Sequence, residues 1–228
     1  SERDGGMYSA INKGFSEANG DIFAWINADD RYEPGAFHRI QEALKTFPEI
    51  QWIKGITRTI DEESHLLRRG VCNLYYQDWL QKGIYGQEAY FVEQDSVFWR
   101  ISLWENVKEI PSHLRFAGDY WLWLQFARFT SLWSLNAPLS SFRKRQGQLS
   151  KDIERYKGEQ FTIRPKRSLT AWRSRFFFSL HALIRIYVPC LQGIFSHLYP
   201  LFFWRQHPYL AYEQGHIVKK ITSRYFVE

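Results

Sequence analysis

The feature that most constrains this chain is a short apolar run, Ile22-Phe23-Ala24-Trp25-Ile26, that ends directly in Asn27-Ala28-Asp29-Asp30. An apolar run of this length bounded by turn residues reads as a buried strand. Two adjacent carboxylates at the end of such a strand repel each other and resist desolvation. A divalent cation would relieve that strain, and hard oxygen ligands select Mg²⁺ or Mn²⁺. A second reading is open on the same residues: Asp29 or Asp30 caps the helix that opens near Pro34.

The flanking segments alternate. Met7 to Ala18 suits a helix stopped by Asn19-Gly20. Pro34 opens a helix with Ile40, Ala43, Leu44 and Phe47 at helical spacing. Gln51 to Lys54 reads as the next strand, and Ile56–Ile60 with His65–Arg69 reads as a hairpin around Asp61-Glu62-Glu63-Ser64. Tyr90 to Arg100 alternates as a strand, and Leu114 to Phe129 has a helical apolar face beginning near Gly118. This order predicts an α/β sheet with helices on both faces. Ligands of such sheets bind beyond the carboxyl ends of the strands, where the Asn27–Asp30 cluster falls.

The 228 residues, 45% of them hydrophobic, suit one globular domain with an appendage. Aromatics make up 18%, including 10 Trp, which fits a sugar-handling or membrane-contacting surface, or else an aromatic-rich core. Cys72 and Cys190 show neither metal spacing nor a disulfide framework, so the reading is a reducing cytoplasm. The polar stretch at Ser1 has no signal-peptide pattern, and the opening reads as the middle of a domain.

Charge is uneven. Residues 1–140 hold 14 basic and 19 acidic side chains, and residues 141–228 hold 16 basic and 5 acidic. The tail therefore calls for an anionic partner. Its basic residues are interleaved with bulky aliphatics and match no nucleic-acid fold, so nucleic acid is not the expected partner. A boundary is expected near 165, with residues 165–228 forming a basic, apolar helical extension. Between Arg185 and Arg205 no charged residue occurs, which is just long enough to span hydrocarbon. Pro189, Gln192, Gly193, His197 and Pro200 argue instead for a segment lying on an anionic membrane surface, or packed on the domain.

Specific motifs then narrow the class. Ser1-Glu2-Arg3-Asp4-Gly5-Gly6-Met7-Tyr8-Ser9-Ala10-Ile11-Asn12-Lys13-Gly14, followed by Gly20-Asp21-Ile22 and Trp25-Ile26-Asn27-Ala28-Asp29-Asp30, resembles the middle of a family 2 glycosyltransferase of GT-A fold. Ala117-Gly118-Asp119-Tyr120-Trp121-Leu122-Trp123-Leu124 resembles the family's x-D-Y-x-L-W-L helix start. Pro138 to Ser150 resembles its P-L-x-x-F-R-x-H closing segment, with Arg145 where His is common.

The resemblance implies a mixed sheet flanked by helices. It makes residues 1–164 a partial catalytic domain without the family's first strand-helix unit: either the protein is longer, or the donor-base pocket is lost. It implies Asp29 as the ligand of Mg²⁺ or Mn²⁺, and Asp119 as general base on an acceptor hydroxyl. Asp4, Asn12, Lys13, Asn27, Asp30, Arg143 and Arg145 are implied as substrate-binding residues. Asn27 stands where Asp often contacts the ribose and can still hydrogen-bond a hydroxyl. Arg145 has no lone pair for a metal but can pair with a diphosphate. The Q-x-x-R-W pattern of processive polymerases is absent, so transfer of one sugar is expected. The resulting expectation is an inverting, metal-dependent transferase using a nucleotide-diphospho-sugar donor and a saccharide or lipid-linked acceptor, cytoplasmic and peripheral on the inner face of the cell membrane. An inactive, membrane-associated remnant of such an enzyme is the alternative.

Overall fold

The strand Trp52–Ile60 is buried along nearly its whole length, as its apolar composition requires, and it is the axis of the structure. The computed structural model describes residues 5–87, 89–148, 152–166, 169–188 and 206–227. In chain order the strands are β1 (Ile22–Phe23), β2 (Arg31–Tyr32), β3 (Trp52–Ile60), β4 (Leu66–Arg68), β5 (Cys72–Asn73), β6 (Val97–Arg100), β7 (Trp133–Arg143), β8 (His207–Glu213), β9 (His216–Thr222) and β10 (Phe226–Val227). The helices are α1 (Met7–Glu17), α2 (Ala36–Thr46), α3 (Gln77–Gln81), α4 (Ile101–Trp104), α5 (Gly118–Phe126), α6 (Ile153–Ile163) and α7 (Leu169–Tyr187).

The main sheet runs β1-β6-β3-β7-β8-β9, with β2 added on β7 and β4 on β3. It is mixed: β3–β7 and β7–β8 are parallel, and the other pairs are antiparallel. The period of two along each strand splits the core into two layers. Trp52 and Trp99 face one layer with Trp79, Trp123, Phe126 and Phe177, which come from α3, α5 and α7. Ile53 and Phe98, one residue on or back, face the other layer with Ile40, Ala43 and Leu44 of α2. Trp52, Trp79, Trp99, Trp104 and Trp123 are all buried, so much of the aromatic content is core.

Gly55 marks the closest approach of β3 and β7. A Cβ there would stand 2.3 Å from Leu139 Cγ and 2.9 Å from the Ala137 carbonyl oxygen, and the register shifts at that point. Only glycine fits.

Two expected strands are shorter than their apolar runs. β1 stops at Phe23 because the Trp25 carbonyl accepts from the Gln94 side chain (2.5 Å), while the Trp25 ring stacks on Trp123 at 5.9 Å. β6 begins only at Val97, because Gln94–Ser96 forms a 3-10 turn. In that turn Ser96 hydrogen-bonds Thr57 (2.8 Å) and Asp95 hydrogen-bonds Ser140 (2.5 Å).

The expectation of a helical extension over 165–228 is corrected in part. α7 is helical, but β8 and β9 extend the main sheet, with Leu210 opposite Leu135. The cause is local. Gln214 and Gly215 both have positive φ, the two-residue hairpin geometry, between runs rich in Tyr, Ile and Val. The boundary at 165 does not separate two cores either, since Phe177 and Tyr225 are buried in the main cluster. Residues 189–205, including Cys190 and most of the uncharged stretch, lie outside the described residues. Among the described residues no helix is long and apolar enough to cross a membrane.

Leu210 is fully buried between β7 and α2. Leu210→Ala should therefore lower stability by about 2–5 kcal/mol, read from the urea midpoint. A loss below about 1 kcal/mol would mean that the C-terminal strands are not part of the folded sheet.

Candidate active site

A cavity of about 800 Å³ opens where β3, β7 and the turn after β1 converge. It is lined on one side by Asn27, Asp29, Arg145 and Gln148 and on the other by Arg115, Asp119 and Tyr156. Thr57, Thr59, Glu93 and Asp95 form its floor, and Arg68 and Lys144 also face it.

The turn after β1 divides its two carboxylates between two tasks. Asp29 faces the cavity, and its Oδ2 accepts Arg145 Nε at 2.5 Å and Gln148 Nε2 at 3.2 Å. The Arg145 bond holds the Asp29 carboxyl below the usual carboxylate range, so it is ionised at neutral pH. Asp30 points the other way. It accepts the Arg143 backbone N–H (2.8 Å) and Asn27 Nδ2 (3.0 Å), and burial pushes its carboxyl up. It ties the turn to the end of β7, beside the β2–β7 pairing, and does not line the cavity.

Asp119 opens α5 at the opposite wall, and its carboxyl is pushed up to about 6, chiefly by desolvation. Tyr156 of α6 donates its hydroxyl to both oxygens at 3.1 Å. Gly118 precedes Asp119 because the Tyr8 ring occupies the adjacent space: a Cβ would lie 2.5 Å from it. Tyr8 in turn donates to the Phe116 carbonyl (2.9 Å). Glu159 of α6 accepts three successive backbone N–H groups, of Arg115, Phe116 and Ala117, at 2.8, 2.7 and 2.6 Å. The loop entering α5 is thus held from both sides.

Of the residues expected to serve the site, Asn27, Asp29, Asp119 and Arg145 meet in this cavity. Four others are placed elsewhere, and Asp4 lies outside the described residues. Asn12 is turned away from the cavity. Its amide donates to the Ile110 carbonyl (2.7 Å) and accepts the Ile110 N–H (2.9 Å), pairing with backbone as a peptide would. Lys13 is exposed on α1 and outside the lining. Asp30 is committed to the turn, as described. Arg143 donates to the carbonyls of Asp29 (2.9 Å), Asp61 (2.8 Å) and Glu62 (2.8 Å) and to Ser64 Oγ (3.0 Å), so it staples two turns together rather than facing the cavity.

Asp95 was not singled out from the sequence. Burial pushes its carboxyl up to about 6 despite the Ser140 bond. Lys54, itself buried, forms an ion pair with neighbouring Glu93 at 3.0 Å. The local signal was Gln94-Asp95-Ser96 inside an otherwise apolar run, a polar interruption that a strand reading passes over.

Asp29 offers an ionised carboxylate to a roomy cavity, and Mg²⁺ commonly takes one or two carboxylates together with substrate phosphates and water. Those residues fit. Among the described residues, the one cluster of three such groups within ligand distance of each other is Asp61, Glu63 and His65. It sits on the β3–β4 turn, outside the cavity lining, where Asp61 closes the turn by accepting the His65 N–H (2.7 Å).

A sequence model described as Glycosyl transferase family 2 matches residues 1–101, so over this span the chain is similar to that family of glycosyltransferases. The fold is similar to that of S. aureus TarS 1-349 solved in complex with UDP-GlcNAc. The TM-score is 0.52 at 10% identity, over 89% of this chain and 62% of that one. A second structure of S. aureus TarS 1-349 gives a TM-score of 0.45 at 10% identity, over 88% of this chain and 66% of that one. The chain thus spans less than two thirds of the TarS structures it resembles. No curated protein matches. The mixed sheet flanked by helices is the architecture of GT-A glycosyltransferases.

Two carboxyls raised to about 6 make stability depend on pH. Because their folded pKa lies above the unfolded value of about 3.9, their favourable contribution is complete below that value. It is lost as pH rises through 6. Asp95→Asn should therefore raise Tm at pH 7.5 and leave it nearly unchanged at pH 3.5. An equal effect at both pH values would mean that desolvation of the Asp95 carboxylate is not what the substitution relieves.

Proposed function

We propose that this chain is the catalytic core of an inverting transferase that moves one sugar from a nucleotide-diphospho-sugar to a hydroxyl acceptor. The observation that carries the reading is the pairing of unlike carboxylates across one cavity: Asp29, ionised and paired with Arg145, against Asp119, desolvated and raised to about 6. Carboxyls whose environments push their pKa values apart suit separate roles.

Asp29, Asn27 and Arg145 form the donor side, and Arg115 reaches the cavity from the opposite wall. Arg145 and Arg115 meet the charge that develops on the diphosphate, and Asn27 offers hydrogen bonds to a ribose hydroxyl. Asp29 would hold a Mg²⁺ or Mn²⁺ ion, which when bound supplies further neutralisation of the leaving diphosphate. At Asp119 a carboxylate oxygen takes the acceptor's proton. The acceptor oxygen then bonds to the anomeric carbon as the bond from that carbon to the diphosphate oxygen breaks, and the electron pair leaves with the nucleoside diphosphate. Attack from the face opposite the leaving group inverts the centre. A pKa near 6 leaves the base mainly ionised at neutral pH and still basic enough to act.

The TarS complex holds UDP-GlcNAc, which makes a UDP-sugar the first donor to try. The chain should bind UDP more tightly with Mn²⁺ than with chelator, and Asp29→Ala should abolish that difference. Asp119→Asn should lose roughly 10²-fold or more in transfer while still binding UDP. Equal UDP affinity with and without metal in the wild type would remove the cation from the reading. Near-normal transfer by Asp119→Asn would remove the base.

The membrane reading gains an observation from α7. Leu169, Trp172, Phe176, Leu183 and Tyr187 are exposed along one stripe, while Phe177 and Ser174 on another face are buried. Arg173 and Arg175 flank the stripe and are exposed. An apolar stripe beside basic residues suits the interface of an anionic bilayer, and such a surface would present lipid-linked acceptors. On this reading the protein is peripheral on the cytoplasmic face of the cell membrane. The chain should co-float with vesicles containing phosphatidylglycerol and much less with phosphatidylcholine alone. Trp172→Glu with Phe176→Glu should release it. Failure to float with anionic vesicles would overturn the placement.

A further inference from the structure

The wall that carries Asp119 is built largely by α6. Its N-terminus is capped by Asp152, whose side chain accepts from the Arg155 N–H. One turn on, Tyr156 aims its hydroxyl at Asp119, and Glu159, at i+3, takes the three backbone N–H groups that lead into α5. Residues three apart share a helix face, so a single face of α6 grips both the carboxylate and the loop that positions it. The Phe91 ring lies 5.8 Å from the Tyr156 ring, on the cavity side of the same contact.

We infer that Tyr156 is the positioning residue of the Asp119 base, its single hydroxyl bridging both carboxylate oxygens and fixing the plane in which they meet an acceptor hydroxyl. This rests on the proposed role of Asp119. The phenol is suited to the task. A hydroxyl midway between two oxygens gives up linear geometry to either one but resists rotation of the carboxylate toward both sides. A positioned base is effective only if it is held within a few tenths of an ångström of the proton it removes. The bond also favours the charged form of Asp119 and so opposes the desolvation that raises its pKa. The other groups facing Asp119 are Tyr8 from α1, Glu159 from α6 and Tyr120 on α5 itself, with Arg115 on the same cavity wall. Tyr8 and Tyr120 are committed elsewhere, to the Phe116 and Gly83 carbonyls respectively, which leaves Tyr156 as the side chain that touches both oxygens.

Tyr156→Phe deletes one oxygen and keeps the ring. By carbon-13 NMR of the Asp119 carboxyl, identified by its loss in Asp119→Asn, the titration midpoint should rise by roughly one unit in the variant. The acid limb of UDP-GlcNAc turnover should move up with it. That would give a loss of roughly fivefold at pH 6 shrinking to within about twofold at pH 8.5, with UDP affinity unchanged. An unshifted midpoint, or a loss of equal size at every pH, would overturn the inference. The NMR titration needs no donor, so it judges Tyr156 alone. Near-normal turnover of Asp119→Asn would instead reject the role of Asp119 while leaving the measured coupling between the two side chains to stand.

Discussion

The parallel pairing of β3 with β7 is the contact on which the rest of the site depends. It brings together two strands distant in sequence, and Gly55 lets their backbones close to a distance that any side chain would prevent. Downstream of that point the pair supplies the cavity floor from β3, through Thr57 and Thr59, and one wall from the residues after β7, through Lys144 and Arg145. Thr57 and Ser140 lie opposite each other in the pair and bind the two side chains of one 3-10 turn: Thr57 takes Ser96 and Ser140 takes Asp95. The same pairing that completes the sheet thus fixes a buried carboxyl at the base of the cavity.

A second constraint closes the cavity from the other side. α5 begins with a carboxylate where the helix dipole favours negative charge, yet Asp119 has a raised pKa because desolvation outweighs that benefit. The entry loop is kept in place by backbone N–H groups satisfied by Glu159 rather than by a strand neighbour. A carboxylate receiving three N–H bonds is a firm anchor, because leaving any of those donors unpaired would carry a desolvation penalty. Tyr8, occupying the space that Gly118 leaves, adds the remaining support from α1.

Much of this was legible in the residues themselves, and the exceptions share a cause. The apolar run into Asn27–Asp30 and the helix start at Asp119 were visible because their chemistry lies in adjacent residues. The roles of Asn12, Asp30 and Arg143 were not, because each depends on a backbone partner far along the chain: Ile110 for Asn12, Arg143 for Asp30, and the 61–64 turn for Arg143. A polar side chain near a motif has no mark that separates binding a ligand from binding a peptide group. β8 and β9 were hidden by composition. Their basic, aromatic residues blended with the preceding apolar stretch, and the Gln214-Gly215 hairpin turn lacks the Asn-Gly or Asp-Gly pair that signals such turns most strongly. Asp95 was masked by the apolar period on either side of it.

The carboxyls around the cavity show how one enclosure can support opposed tasks. Asp29 lies beside Arg145 and is held ionised, which suits the cation-facing role proposed for it. Asp119 and Asp95 are kept from water and raised, and they differ in what they meet. Asp95 is bonded to Ser140 at the buried floor, where its proton has no outlet except through the cavity. Asp119 stands at the wall and is shared with a hydroxyl on a neighbouring helix. A group that must take a proton during each turnover and release it afterwards needs a path to solvent and a pKa near that of its surroundings. Asp119 has both, whereas Asp95 has the pKa without the exposure. Accessibility more than acidity therefore separates Asp119 from the floor carboxyl, which is why the proposed base is placed on the α5 side of the cavity.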